Sequence, residues 1–418
     1  MLSERLPGWL PSLPRNLIRP FARRLLRRSL LSRLSALKRG CVTIHDGADR
    51  FQFGDAASAP GDVVHVTVHD AGFYSAIALN GSVGAAESYA RGWWTTSDLT
   101  AAIRLLTRNR DAMLALDGGL SALSAPARRA VHWLNRNTRS GSQLNIAAHY
   151  DLGNEFFEQF LDETWMYSAA VFEREEMTLA EASRAKIERL CRMLELSPSD
   201  HLLEIGTGWG GFALQAAANY GCRVTTATIS REQYELARER VRAAGLQDRI
   251  EVVFRDYRDL RGSFDKLVSI EMIEAVGHQY LGEYLASCER LLKPGGRFAL
   301  QCITIGDADY ERHTGEVDFI KRWIFPGSCL VNVNRIRQLI DAMPMRITRV
   351  DDITLHYART LREWRARFIE NRAAILAAGY SEEFWRMWLY YFCYCEAGFS
   401  EQYIGTQQIL IEKSIADI

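Results

Sequence analysis

Glu204-Ile205-Gly206-Thr207-Gly208-Trp209-Gly210-Gly211 is the stretch on which the fold reading turns. It follows His201-Leu202-Leu203 and leads into Phe212-Ala213-Leu214, so it joins a buried strand to a helix. Glycines at such a junction let the turn tighten and let the backbone approach a ligand closely. The pattern continues on both sides. Residues 178–194 read as a helix ending near Ser197-Pro198, and 201–206 as the strand before the loop. Downstream, 222–229, 250–256, 264–272 and 295–305 read as strands, with helices at 230–245 and 280–292 between them. Strands alternating with helices of this length imply a parallel, doubly wound sheet.

Gly206, Gly208 and Gly211 satisfy G-x-G-x-x-G, so a nicotinamide or flavin dinucleotide competes as the ligand. A dinucleotide enzyme wants an acid at the end of the next strand, for the ribose hydroxyls. That strand ends Thr225-Thr226-Ala227-Thr228-Ile229-Ser230, with no acid. Glu204, two positions before the first glycine, is instead the arrangement of class I S-adenosylmethionine methyltransferases. Leu292-Lys293-Pro294-Gly295-Gly296 resembles the turn before their fifth strand. The methyltransferase reading therefore prevails, also over glycines that serve only helix–strand packing. The expected fold class is α/β: a Rossmann-like doubly wound methyltransferase domain with a smaller N-terminal α+β domain.

The 418 residues suffice for two or three domains, and 48% apolar with 24% charged residues is ordinary globular composition. A formal net charge of zero argues against a nucleic-acid binder. The balance is uneven, since residues 1–40 hold ten basic residues against Glu4. Eight scattered cysteines without a C-x-x-C pair give neither a disulfide framework nor a zinc site. His201, His278 and His313 lack metal-like partners at helical spacing, so no metal site is expected. No apolar run reaches the ~18–20 residues of a membrane span, and arginines interrupt every candidate signal core. The expected location is cytoplasmic, peripheral on the inner face of a membrane.

That last expectation rests on segment 15–39. Phe21, Leu25, Leu26, Leu30, Leu31, Leu34 and Leu37 recur at helical spacing opposite a face of arginines, a basic amphipathic helix suited to an anionic membrane surface. A helix packed on its own domain is the equal alternative. Residues 41–80 read as a small β-rich unit, with 73–79 as one of its alternating runs, and 84–140 as helical. The polar stretch 135–145 reads as a linker, dividing an N-terminal lipid-associating domain (1–140) from a catalytic domain (141–418). The stretch from about Leu361 reads as helical and aromatic, mostly core, with some of it able to line an acyl tunnel.

Several strings resemble the cyclopropane-fatty-acid synthase family, which includes the mycolic acid cyclopropane synthases and methyltransferases. They are His149-Tyr-Asp-Leu-Gly-Asn154, Met166-Tyr167-Ser168, the glycine loop, Thr228-Ile-Ser-Arg-Glu-Gln233, Asp256-Tyr-Arg-Asp259, Glu274-Ala-Val-Gly277, Ile324-Phe-Pro-Gly327 and His356-Tyr-Ala358. The match runs from about residue 143 to about 412. It implies transfer of the methyl of S-adenosylmethionine to a carbon–carbon double bond in an unsaturated phospholipid acyl chain. It implies cofactor contacts from Tyr167 and Ser168, from Glu204, Gly206, Thr207, Gly208 and Gly210, from Thr228 and Gln233 beside the ribose and methionine portions, and from Asp256 and Tyr257 by the adenine. A homodimer and a partner reductase or desaturase stay open.

An alkene needs no base before it attacks; it needs the methyl donor held against it in a dry pocket. Attack leaves a carbocation, and a proton must then depart. Loss from the new methyl closes a cyclopropane, whereas loss from a chain carbon gives a methylated or methylene product. In the family the base is a bicarbonate held by a Cys, a Glu, a His, a Tyr and a backbone amide. Glu274 and Tyr357 fall on the Glu and Tyr positions, but Ala169 stands at the Cys and Gln301 at the His. These departures count against bicarbonate and point to a branch that methylates without closing the ring, with Glu274, alone or with Tyr357, handling the proton. Cys395 matches a family cysteine close to the substrate. The competing functions are true cyclopropane synthesis, methylation of a small polar substrate, and a silent membrane-binding protein.

Overall fold

Alternation in Val63–Val68 buries Val64, Val66 and Val68 and leaves the residues between them outward, a strand with one covered face. It is the third strand of a four-stranded sheet: β1 (Gly40–Asp46), β2 (Asp49–Asp55), β3 (Val63–Val68) and β4 (Trp94–Thr96), in the order β2-β1-β3-β4. β1 and β3 are parallel and the other pairs antiparallel. The structure, a computed structural model, describes residues 20–55, 63–110 and 152–415, with 137–138, 141–142, 145 and 149–150, and side chains from residue 24 onward. Its residues fall into two compact units. The first takes those up to 134 with Glu316–Ile324 and Trp364–Tyr403; the second takes Asn135–Gly315, Phe325–Glu363 and Ile404–Ile418. A division by sequence near residue 140 does not contain those two returning segments of the first unit. Residues 111–136, Asp151, most of 135–145 and the arginines at 5, 15 and 19 lie outside the described residues, as do the side chains of Phe21 and Arg23.

Residues 73–79 are not a strand. They belong to the helix Gly72–Ala90, where Asp70 Oδ1 accepts the Gly72 N–H at 2.7 Å and Phe73, Tyr74, Ile77 and Ala78 are buried at helical spacing. The basic helix Pro20–Leu34 buries Leu26, Leu30 and Leu34 but leaves Leu25 49% exposed, so its apolar face is covered only in part. Arg27 is turned inward too, bonding Asp46 Oδ2 at 2.8 Å and Asp49 Oδ2 at 2.7 Å. Arg24 and Arg28 are exposed.

The second unit holds β5 (His201–Ile205), β6 (Arg223–Thr228), β7 (Ile250–Phe254), β8 (Phe264–Ile270), β9 (Leu292–Ile305), β10 (Met345–Asp352) and β11 (Ile404–Lys413) in the order β10-β11-β9-β8-β5-β6-β7. β9-β8-β5-β6-β7 are parallel, and β11 runs antiparallel to both β9 and β10. Both faces are covered. Leu203, Leu267, Phe298 and Leu300 join one core with the helix Leu281–Leu291; Leu202, Val268 and Ala299 join the other with the helices Leu179–Leu194 and Gly211–Tyr220. β10 went unread in the sequence, and β11 lies inside the stretch read as helical. Its Gln407-Gln408 pair, Gln408 buried, interrupts the apolar pattern that marks the other strands. Strand order reverses between β5 and β8, where the chain passes from one side of β5 to the other, and ligands of such sheets bind outside the carboxyl ends at that point.

Candidate active site

β5 delivers Glu204, 2% exposed, to that crevice. Thr226 Oγ1 lies 2.6 Å from its Oε2 and 2.8 Å from Thr207 Oγ1, so the predicted Thr207 side chain braces the loop from within. Burial pushes the Glu204 carboxyl up to about 8, against the Thr226 bond and the charge of Lys186. The loop turns through left-handed backbone at Gly206 (φ +100°), Gly208 (φ +51°) and Gly210 (φ +84°). No atom lies within 4 Å of where a Cβ on Gly208 would stand, which leaves its backbone open to a ligand. Gly211 opens the helix Gly211–Tyr220 and has no such room: a Cβ there would meet Thr164 O at 2.4 Å.

At the end of β6, Thr228 Oγ1 donates to Gln233 Oε1 at 2.9 Å, and Ser230 caps the helix that carries Gln233. Burial, against the bond from Gln233, holds the Tyr150 hydroxyl up to about 12. Asp256 follows β7, and Arg258 Nε and Nη2 grip its two oxygens at 2.9 and 2.7 Å. Tyr257 stands edge-on to Tyr284. Tyr167 stacks on His149 at 5.8 Å, and buried Ser168 accepts from Lys186 Nζ at 2.7 Å. Lys186 is itself fully buried, and burial pulls its ammonium down to about 8 despite Glu271, Asp162 and Glu204. Nothing in the spacing of the sequence singled it out.

The proton-handling candidates are rearranged. Tyr357 OH donates at 2.7 Å to Glu271 Oε2, and Gln301 Nε2 and the Ala169 N–H each donate at 2.8 Å to Glu271 Oε1. Glu271, the first residue after β8, has left-handed backbone at φ +49°, an uncommon conformation for a residue with a side chain. Burial raises its carboxyl, and the three donors and Lys186 oppose that. Glu274 is differently placed. Its Oε1 accepts from the Ile303 N–H, while Oε2 is buried with no hydrogen-bond partner among the described residues. Burial, and then the charge of Glu271, push Glu274 up to about 8, so it is largely protonated at neutral pH. Tyr357 and Gln301 thus converge as read from the sequence, but on Glu271 rather than Glu274. Cys395 lies on the helix Glu382–Ser400 of the first unit.

Donors that could otherwise hold a free bicarbonate are occupied by Glu271: the Tyr357 hydroxyl, the Gln301 amide and the backbone N–H of Ala169. The residues present do not fit that anion. They do fit S-adenosylmethionine, with an open glycine loop, an acid at the end of β5 and neutral Thr228 and Gln233 at the end of β6.

Strand order, loop and strand-end residues define a class I S-adenosylmethionine-dependent methyltransferase. Residues 137–409 match the family model of mycolic acid cyclopropane synthetase, and the chain belongs to that family. It is 38% identical over 353 residues to the tuberculostearic acid methyltransferase of Mycobacterium tuberculosis, spanning 79% of each chain. It is 33% identical over 362 residues to the cyclopropane-fatty-acyl-phospholipid synthase of Escherichia coli strain K12, covering 86% of this chain and 89% of that one. Among solved structures, a mycolic acid cyclopropane synthase complexed with SAH and CTAB superposes with a TM-score of 0.61 at 31% identity, over 65% of this chain and 98% of that one. Among the described residues no helix is long and apolar enough to cross a membrane.

Proposed function

We propose that this enzyme methylates the double bond of an unsaturated fatty acyl chain of a membrane phospholipid and releases a methyl-branched, methylene or methyl-diene chain. The observation that carries the reading is the Glu271 carboxylate, held by three donors where the family is expected to bind bicarbonate. S-adenosylmethionine, when bound, supplies an electrophilic methyl group. Tyr167, Ser168, the glycine loop, Thr228, Gln233, Asp256 and Tyr257 would hold it. The alkene π pair would form the new carbon–carbon bond to that methyl as its bond to sulfur breaks, with S-adenosylhomocysteine as the leaving group and a cation on the adjacent carbon. Glu271 stabilises that cation by its charge and accepts the departing proton. Loss of a neighbouring chain proton leaves a methyl-branched alkene. A hydride shift followed by loss from the new methyl leaves a methylene branch.

Incubation with methyl-labelled S-adenosylmethionine and vesicles of a monounsaturated phospholipid, read by proton NMR of the fatty acids, tests this. Alkene or methylene signals are expected. Cyclopropane signals would overturn the product assignment and favour ring closure, as in the name of the Escherichia coli relative.

The enzyme would sit peripherally on the inner, anionic face of the membrane. The support is the exposed pair Arg24 and Arg28, with Leu25 exposed beside them while Leu26, Leu30 and Leu34 of the same helix are buried. Basic residues near such a surface contribute about 1 kcal/mol each, so replacing both with Gln should weaken vesicle binding about thirtyfold. Unchanged binding would sink this part of the reading. Arg27→Gln should instead lower thermal stability, because that side chain bonds Asp46 and Asp49.

A further inference from the structure

Asp351, Gln408 and Gln301 are direct neighbours across β10, β11 and β9, and Gln301 is in register with Ile270, the last residue of β8 before Glu271. Both glutamines are fully buried. The row is joined by directional hydrogen bonds. Arg189, on the helix Leu179–Leu194, donates from Nη2 to Asp351 Oδ2 at 2.6 Å and from Nε to Gln408 Oε1 at 2.8 Å. Gln408 Nε2 donates to Gln301 Oε1 at 2.9 Å, and Gln301 Nε2 donates to Glu271 Oε1 at 2.8 Å and to Ala169 O at 3.3 Å.

A carboxamide can present either its oxygen or its nitrogen, so a row of two glutamines has no direction of its own. A guanidinium removes the choice, because it has donors and no acceptor. We propose that Arg189 is a positioning residue for the proton-accepting carboxylate. From the far end of the row it turns both amides so that Gln301 offers N–H, and not C=O, to Glu271. This rests on the reading of Glu271 as the base. A carbonyl turned toward Glu271 would disfavour its ionised form, whereas the present order favours it and passes on the polarisation of a cation. The other titratable groups facing Glu271 are Lys186, Glu274, Tyr357, Tyr150 and Cys302, and none of them bonds either glutamine.

The test is the pH dependence of kcat in purified full-length variants. Gln408→Glu sets an acceptor against Gln301 Oε1. The acidic limb should move up by about one unit, and kcat at neutral pH should fall about tenfold with the KM for S-adenosylmethionine unchanged. Arg189→Met should shift the limb in the same direction by less, and Arg189→Lys, still a donor, should restore it. A merely structural role would lower melting temperature without moving the limb. Wild-type limbs in both Gln408→Glu and Arg189→Met overturn the proposal. Glu271→Gln separates the two readings: if it stays active, Glu271 is not the base. In that event the side-chain amide NMR signals of Gln301, assigned by their loss in Gln301→Glu, still decide. Signals that do not move in Arg189→Met overturn the positioning role.

Discussion

Around β5 and β6 the chain shapes its crevice with a backbone turn through left-handed glycines at 206, 208 and 210, flanked by neutral threonine hydroxyls and a glutamine amide at the strand ends. Around β8 and β9 it converges on one side chain, bringing the Ala169 backbone N–H and the Gln301 and Tyr357 side chains from three parts of the chain onto the Glu271 carboxylate. The first region is local, since its residues lie within 30 positions of one another. In the second, the partners of Glu271 lie 30, 86 and 102 positions away. A local construction can be altered one residue at a time with local consequences. A convergent one fails together, because each partner fixes the orientation of the rest.

The sharpest test of the contrast is Glu271→Gln. It should lower kcat about a thousandfold while leaving the affinity for S-adenosylmethionine, measured by calorimetry, near wild type. A comparable loss of cofactor affinity would dissolve the distinction between the two regions. Gly211→Ala probes the backbone-built region in the opposite sense. With Thr164 O at 2.4 Å from the new methyl, the fold should lose about 1–3 kcal/mol, seen as a lower denaturant midpoint, together with cofactor affinity.

Tyr357→Phe removes a donor that lowers the pKa of Glu271. The acidic limb of the rate profile should therefore move to higher pH, and kcat at neutral pH should fall about tenfold. The smallest change is expected from Glu274→Gln. A carboxyl held near 8 is already mostly neutral at pH 7, so the amide should cost less than about threefold in kcat. A thousandfold loss there would return the proton to Glu274 and break the assignment made from the three donors.

The sequence carried the first region almost whole. Glycines before a helix, an acid two positions ahead and a following strand without an acid are contiguous signals. β5 to β9 stand within a few residues of where alternation puts them, and Tyr357 and Gln301 were legible through the strings around them. Glu271 was not. It sits three residues before Glu274, which the family string made the conspicuous acid, and which carboxylate meets the donors depends on how the chain turns at φ +49° after β8. Lys186 reads in sequence as one more polar position of an amphipathic helix, yet it is fully buried against Ser168.

Sequence by itself determined the parallel core, the methyl-donor loop and the family, because period, glycine placement and strand-end chemistry are properties of neighbouring residues. Tertiary structure alone decided which acid is cradled, that β11 enters the sheet between β9 and β10, and that Leu26, Leu30 and Leu34 of the basic helix are buried. These depend on strand register and on burial. Register brings residues a hundred positions apart to hydrogen-bond distance, and burial sets the ionisation of the groups it encloses.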